Sequence, residues 1–172
     1  AGAVTVFCQE APSAHPLGAA GRGCALIPNQ WNDDDSFRVC TSSGKECLFL
    51  LYFVVTPESE SSLPSRRPII ATTPENIVGS GEAAKAFTAE TLSAGPFTVW
   101  TRWADALGRS KPPRFYAFIQ VGNKDLGEMI VTAGLARIYG TRVPMPDGGT
   151  SRNYLEKLET METEAKAAGR GA

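Results

Sequence analysis

The chain has 172 residues, a formal net charge of −1 and 42% hydrophobic residues. That length suits a single domain, and the apolar share is enough to build a core, which excludes a disordered chain. The near-neutral charge excludes a global basic field for nucleic acid, so any polyanion contact must rest on a local patch.

Residues 1–24 are rich in Ala, Gly and Pro, with a short strand candidate at Val4–Phe7. They read as an N-terminal arm, and residues 25–172 as the folded domain. The chain opens on Ala1, as it would after loss of a leader. Strand candidates follow at Ala25–Ile27 and Ser36–Cys40, on either side of a polar loop through Asp33, Asp34 and Asp35. Cys47–Val55 is the next strand. Its run Leu48–Val55 is unbroken in apolar character, so it should be covered on both faces. The run is too short to cross a bilayer, and no membrane insertion is expected.

Four prolines and many serines make residues 57–80 mostly loop. Thr73-Pro74-Glu75 has the form of a helix start, with Thr as N-cap and Pro at the first helical position. A helix is predicted over Gly81–Leu92, with Ala83, Ala84 and Phe87 inward. Phe97–Trp100 and Phe115–Val121 read as strands, joined by a polar loop over Asp105–Pro113. Asp125-Leu126-Gly127-Glu128 fits a capping box, and Leu126, Met129, Ile130 and Ala133 mark one face of the helix it opens. Gly134 ends that helix, Leu135–Tyr139 is a last short strand, and a helix from Arg152 to Ala168 carries a stripe of Tyr154, Leu158, Met161, Ala165 and Ala168. This order predicts an α+β fold: a five-stranded OB-like β-barrel with packed helices.

The cysteines are Cys8, Cys24, Cys40 and Cys47, without a Cys-x-x-Cys pair, and His15 is the one histidine, which argues against structural zinc. Cys40 and Cys47 flank the turn Ser42-Ser43-Gly44-Lys45, so a Cys40–Cys47 bridge across a hairpin is expected, leaving Cys8 with Cys24. Two bridges would mean an extracytoplasmic protein, secreted or periplasmic. The alternative is four reduced, buried thiols.

Four segments, in this order, resemble the thermonuclease (staphylococcal nuclease-like) family. They are Asp33-Asp34-Asp35-Ser36-Phe37; Leu50-Leu51-Tyr52-Phe53-Val54-Val55-Thr56-Pro57-Glu58; Asp105-Ala106-Leu107-Gly108-Arg109; and Asp125-Leu126-Gly127-Glu128 running on to Ala136, with a tail Glu164-Ala165-Lys166 ahead of Gly169. The resemblance implies the barrel fold and metal-assisted hydrolysis of nucleic-acid phosphodiesters. It implies Asp35 as a calcium ligand, the Thr56 carbonyl as a second, Glu58 as the carboxylate that activates water, and Arg109 as a phosphate-bracing cation. Two positions depart from the pattern: Leu50 stands where the family keeps an arginine, and Val55 where it keeps an aspartate. Loss of a carboxylate ligand weakens calcium binding, and loss of an arginine clamp costs on the order of a hundredfold in rate. Weak or absent activity is therefore expected. Asp33 and Asp34 are candidate replacement carboxylates, and Arg66, Arg67, Arg102 and Arg114 candidate replacement cations.

A second register, Arg67-Pro68 through Thr72-Thr73-Pro74-Glu75, would make Arg67 and Glu75 catalytic, but Pro68 is ill suited to a central strand. Arg102, Arg109, Lys111 and Arg114 form a basic patch beside Trp100, Trp103 and Tyr116. That mixture suits single-stranded DNA or RNA, and equally a surface loop over core aromatics. A protein partner in a larger assembly is the alternative to catalysis. By the ordinary reading, Glu58 is a first-turn carboxylate and Asp33–Asp35 a solvated turn.

Overall fold

The computed structural model describes residues 18–28, 32, 36–56, 74–107 and 113–170. Eight strands and three helices alternate along them: β1 (Gly18–Leu26), β2 (Ser36–Cys40), β3 (Glu46–Leu51), β4 (Val54–Val55), α1 (Pro74–Ser93), β5 (Phe97–Asp105), β6 (Arg114–Val121), β7 (Lys124–Asp125), α2 (Leu126–Thr132), β8 (Arg137–Ile138) and α3 (Ser151–Ala167). The fold is α+β, with a mainly antiparallel sheet. Its order is β3-β2-β1-β5-β6-β7, and β3 also pairs with β6, in parallel. β4 and β8 form a separate two-stranded sheet. The predicted arm at Val4–Phe7, and His15, lie outside the described residues.

Period-two alternation sorts the strand residues. Phe37, Val39, Phe49, Leu51, Val99, Ala117 and Ile119 are all buried in one core cluster. Their neighbours Arg38, Leu48, Leu50, Trp100 and Tyr116 are only partly covered and belong to the opposite face. β1 begins at Gly18, earlier than the predicted strand at Ala25. Its first residues carry no β-forming side chains and enter the sheet by pairing with β5, with register shifts around Gly21.

The strand predicted to run unbroken over Cys47–Val55 breaks at Phe53, which has φ 64°. The Phe53 N–H donates to the Thr141 carbonyl at 3.3 Å, and its own carbonyl accepts from Tyr139 N–H at 2.7 Å. The distant Tyr139–Thr141 segment thus holds an aromatic residue in a conformation that sterics disfavour. The Phe53 ring packs edge-on to Tyr154 at 5.0 Å and lies 5.9 Å from Phe118.

Helix α1 starts at Pro74, as its cap signal predicts, and continues through the predicted span to Ser93. Ala84 and Leu92 are buried, whereas Ala83 faces solvent. α2 opens on Asp125, whose side chain accepts from the Glu128 amide at 3.1 Å. Leu126, Ile130 and Val131 form its buried face, with Met129 and Ala133 only partly covered. In α3, Tyr154, Leu158 and Ala165 are buried and Ala168 is exposed. The Tyr154 hydroxyl donates to Asp125 Oδ1 at 2.6 Å and ties α3 to the start of α2. A Cβ at Gly127 would sit 3.0 Å from that oxygen and 3.2 Å from the Tyr154 hydroxyl, so the contact requires glycine there.

The expected bridges are not made. Cys24 and Cys40 are free thiols, which excludes both Cys40–Cys47 and Cys8–Cys24. The hairpin register explains the first. Cys47 pairs with Val39 and Cys40 with Glu46, one step out of phase, so the two cysteines fall on opposite faces. Cys47 is disulfide-bonded, and Cys8, the remaining cysteine, lies outside the described residues.

Two predictions follow from these contacts. In denaturant without reductant, two thiols should react with an alkylating reagent, and reduction should add the mass of two hydrogens; four reactive thiols before reduction would refute this pattern. The second concerns pH. Burial pushes the Asp125 carboxyl up to about 6, against the lowering pull of the Tyr154 and Glu128 hydrogen bonds. Folding thus disfavours its charged form. The contribution is fully present below the unfolded value near 3.8 and is lost as pH rises through about 6. Asp125→Asn keeps an acceptor for both donors. It should be more stable than wild type at pH 7.5 by about 1–2 kcal/mol and level with it at pH 4, as followed by urea unfolding.

Candidate functional site

Of the segments singled out in the sequence, Leu50 can be placed on the outward face of β2, β3 and β6. Leu50 pairs with Ser36 on one side and with Tyr116 on the other. One step along, Leu48 lies between Arg38 and Arg114. Asp35 and its neighbours Asp33 and Asp34 lie outside the described residues, but the chain resumes at Ser36 directly beside Leu50. The stem of that turn is pinned by Asn32: its side-chain N–H donates to the Ile27 carbonyl at 2.8 Å, and its side-chain oxygen accepts from Arg38 N–H at 2.9 Å.

At the far end of β3, the turn at Phe53 directs the chain into β4, where Val54 and Val55 pair with Ile138 and Arg137. Val55 therefore sits in a sheet pairing with no side-chain oxygen to offer. Thr56 follows, 1% exposed, and Glu58 lies outside the described residues. So does all of the alternative register except its last two residues, and Glu75 there lies within α1.

Arg109 also lies outside the described residues, but both stems of its loop are defined. Ala106 N–H donates to the Arg114 carbonyl at 2.8 Å, closing the loop across β5 and β6. Asp105 Oδ1 accepts from Leu107 N–H at 2.8 Å, and Arg114 Nη2 donates to the Leu107 carbonyl at 3.3 Å. Leu107, with φ 50°, is 77% exposed. The Arg109 loop thus springs from the edge that carries Arg114, one pairing step from Leu50.

The aromatic residues of the basic patch divide between core and surface roles. Trp100, Trp103, Phe115 and Tyr116 are partly buried and pack against the core. The Trp100 indole N–H donates to the Gln120 side chain at 3.2 Å. Trp103 packs edge-on to Phe115, with ring centres 5.3 Å apart. The Tyr116 ring stacks on Tyr52 at 5.2 Å. The core-aromatic reading therefore accounts for the tryptophans.

Tyr52 lies within the second matched segment, but the resemblance gives it no role. It is 1% exposed, yet its hydroxyl has no hydrogen-bond partner. Burial pushes its phenol up to about 12, and the Arg102 charge opposes that rise. Arg114 Nε is likewise buried and without a partner. The signal in the sequence is small: Tyr52 is the one polar-tipped residue inside an aliphatic and aromatic run.

Calcium needs six to eight oxygen ligands, with carboxylates among them. On the described residues the implied set reduces to the Thr56 carbonyl beside an apolar Val55, and no group of three His, Cys, Asp or Glu side chains suited to a metal occurs among them. No described helix is long and apolar enough to cross a membrane. Neither the family models nor the curated proteins contain a match to the chain.

Tyr52→Phe removes a buried hydroxyl that makes no hydrogen bond while keeping the ring stack. It should raise the unfolding free energy by about 1 kcal/mol. A loss of that size in urea unfolding would mean that the hydroxyl is paired in solution.

Proposed function

We propose that the chain is a staphylococcal nuclease-like protein that keeps the family's nucleic-acid-binding face and has weak or lost phosphodiesterase activity. In this reading its sheet closes as a five-stranded OB-type barrel. The pairing of β3 with both β2 and β6 supports that, since β1, β2, β3, β6 and β5 then each have two neighbours. The observation that carries the functional reading is the position of Leu50. It has the end of the Asp-rich turn on one flank and the strand that begins at Arg114 on the other.

Hydrolysis of a phosphodiester needs a positioned water and cations that meet charge developing on the equatorial oxygens. Glu58, two residues beyond Thr56, is the carboxylate available to orient water. Arg38 and Arg114 flank Leu48 on this face, and Arg109 is the cation that the resemblance adds. Leu50 adds no charge, and Val55 adds no ligand. These two apolar residues favour binding without efficient turnover, and an accessory role with a protein partner is the second reading they support. The disulfide at Cys47 favours an oxidising, extracytoplasmic location.

Wild type should cleave single-stranded DNA or RNA at least about a hundredfold more slowly than the variant Leu50→Arg with Val55→Asp. In that variant cleavage should depend on calcium, stop with chelator and be abolished by Glu58→Gln. A double variant as inactive as wild type, while still folded, would refute the assignment of these two positions.

A further inference from the structure

The turn that leads into α3 carries a reactive step that the nuclease-like pattern leaves unused. Of the chain's aspartates and asparagines, Asp147 is the one followed by glycine. Asp147 and Gly148 are both exposed, whereas Met145, Pro146 and Gly149 beside them are half-buried. Met145 N–H donates to the Gly149 carbonyl at 2.9 Å and Gly148 N–H to the Met145 carbonyl at 3.1 Å, which closes the turn. Asp147 Oδ1 accepts from Gly149 N–H at 2.8 Å, so the carboxyl is folded forward over the backbone that follows it. A Cβ at Gly149 would sit 3.0 Å from that oxygen, so glycine there admits this placement. Gly148 has φ 87°, and nothing lies within 4 Å of where its Cβ would be, so no side chain screens the amide that follows Asp147.

We propose that Asp147–Gly148 is a site of spontaneous covalent modification, at which the backbone rearranges to isoaspartate through a cyclic imide. The Gly148 nitrogen attacks the carboxyl carbon of Asp147. A C–N bond forms, and the carboxyl hydroxyl leaves with the amide proton as water. Water then adds back to the imide. Opening at the former side-chain carbonyl restores aspartate. Opening at the backbone carbonyl leaves the chain running through the Asp147 Cβ, with a free α-carboxylate. Water is the sole co-reactant, lost in the first step and regained in the second. The forward fold of the carboxyl brings its carbon toward the Gly148 nitrogen, and glycine leaves the peptide free to turn that nitrogen to meet it. The Gly148 bond to Met145 opposes the attack, but it is a single bond in an exposed turn and opens without disturbing the core. Rearrangement inserts a methylene just ahead of Thr150, whose hydroxyl caps α3 by accepting from Asn153 N–H at 3.2 Å. The start of α3 is therefore the element that the modification loosens.

The test ages the whole folded chain in neutral buffer made with heavy-oxygen water, digests it in ordinary water and follows the tryptic peptide 143–152, which contains the step. Heavy oxygen should enter that peptide. A fraction of it should elute apart and accept a methyl group from S-adenosylmethionine when an isoaspartyl methyltransferase is added. Asp147→Ser keeps an oxygen that can accept from Gly149 N–H but has no carboxyl. It should abolish both signals in this peptide without loss of thermal stability. Asp147→Asn should react faster, through the same imide with release of ammonia, and a slower reaction would exclude the imide route. The synthetic peptide 143–152, aged alongside, separates the effect of the turn from that of the sequence. Label in the free peptide with none in the folded chain would overturn the proposal, since the turn would then protect the step. Signals that persist in Asp147→Ser, or that gather at other aspartates while Asp147 stays unmodified, would overturn it as well.

Discussion

The parallel pairing of β3 with β6 is the constraint on which the rest of the structure depends. It joins Leu48–Leu51 to Arg114–Ala117, segments more than sixty residues apart in the chain. Such a pairing is slow to find, because loop closure must precede its reward. Once made, it sets the phase of both strands. Phe49 and Leu51 turn inward with Ala117 and Ile119, and Leu48 and Leu50 turn outward with Arg114 and Tyr116. A slip of one residue would exchange these sets and place an arginine in the core. Core packing and the composition of the outer face are thus one choice of register.

The second constraint lies where β3 ends. An aromatic residue at positive φ is costly, and Phe53 holds that conformation because both of its backbone groups are bonded to the segment Tyr139–Thr141 while its ring packs against Phe118 and Tyr154. Tyr154 is also bonded to Asp125, which caps α2. The direction in which the chain leaves β3, toward Thr56, is therefore tied to how α3 sits on α2. Burying the Asp125 carboxyl is unfavourable for its charge, but its oxygen satisfies a helix N-terminal amide and the Tyr154 hydroxyl together.

Features that depend on neighbours in sequence were legible from the residues alone. Thr73-Pro74 marked the start of α1, and Asp125 with Glu128 marked the start of α2, because caps are local hydrogen-bonding solutions. Features imposed from far away were not. Gly18–Gly23 has no β-forming residues and is a strand because β5 pairs with it. The break at Phe53 comes from Thr141 and Tyr139. The Cys40–Cys47 pairing looked favourable by hairpin spacing and failed by a single step of register. Of the candidate site, Leu50, Val55 and Thr56 could be placed, whereas Asp35, Glu58 and Arg109 lie outside the described residues.

A chain with net charge −1 gains nothing from long-range attraction to a polyanion. Affinity for a phosphate must then come from contacts within a Debye length, about 8 Å at physiological salt. This makes the arrangement of a few arginines more important than their number. Arg38 is partly neutralised by Glu46 at 3.6 Å, and Arg114 donates to a loop carbonyl. Leu48 lies between them, and Leu50 extends the apolar strip beside Tyr116. In the proposed nuclease-like reading, such a surface would place a base on a ring and a phosphate on a guanidinium. It offers no second charge at Leu50 to meet the extra negative charge of a transition state. In that reading a leucine at position 50 would lower turnover more than binding, since ground-state contacts survive the loss of a group that acts mainly as charge develops.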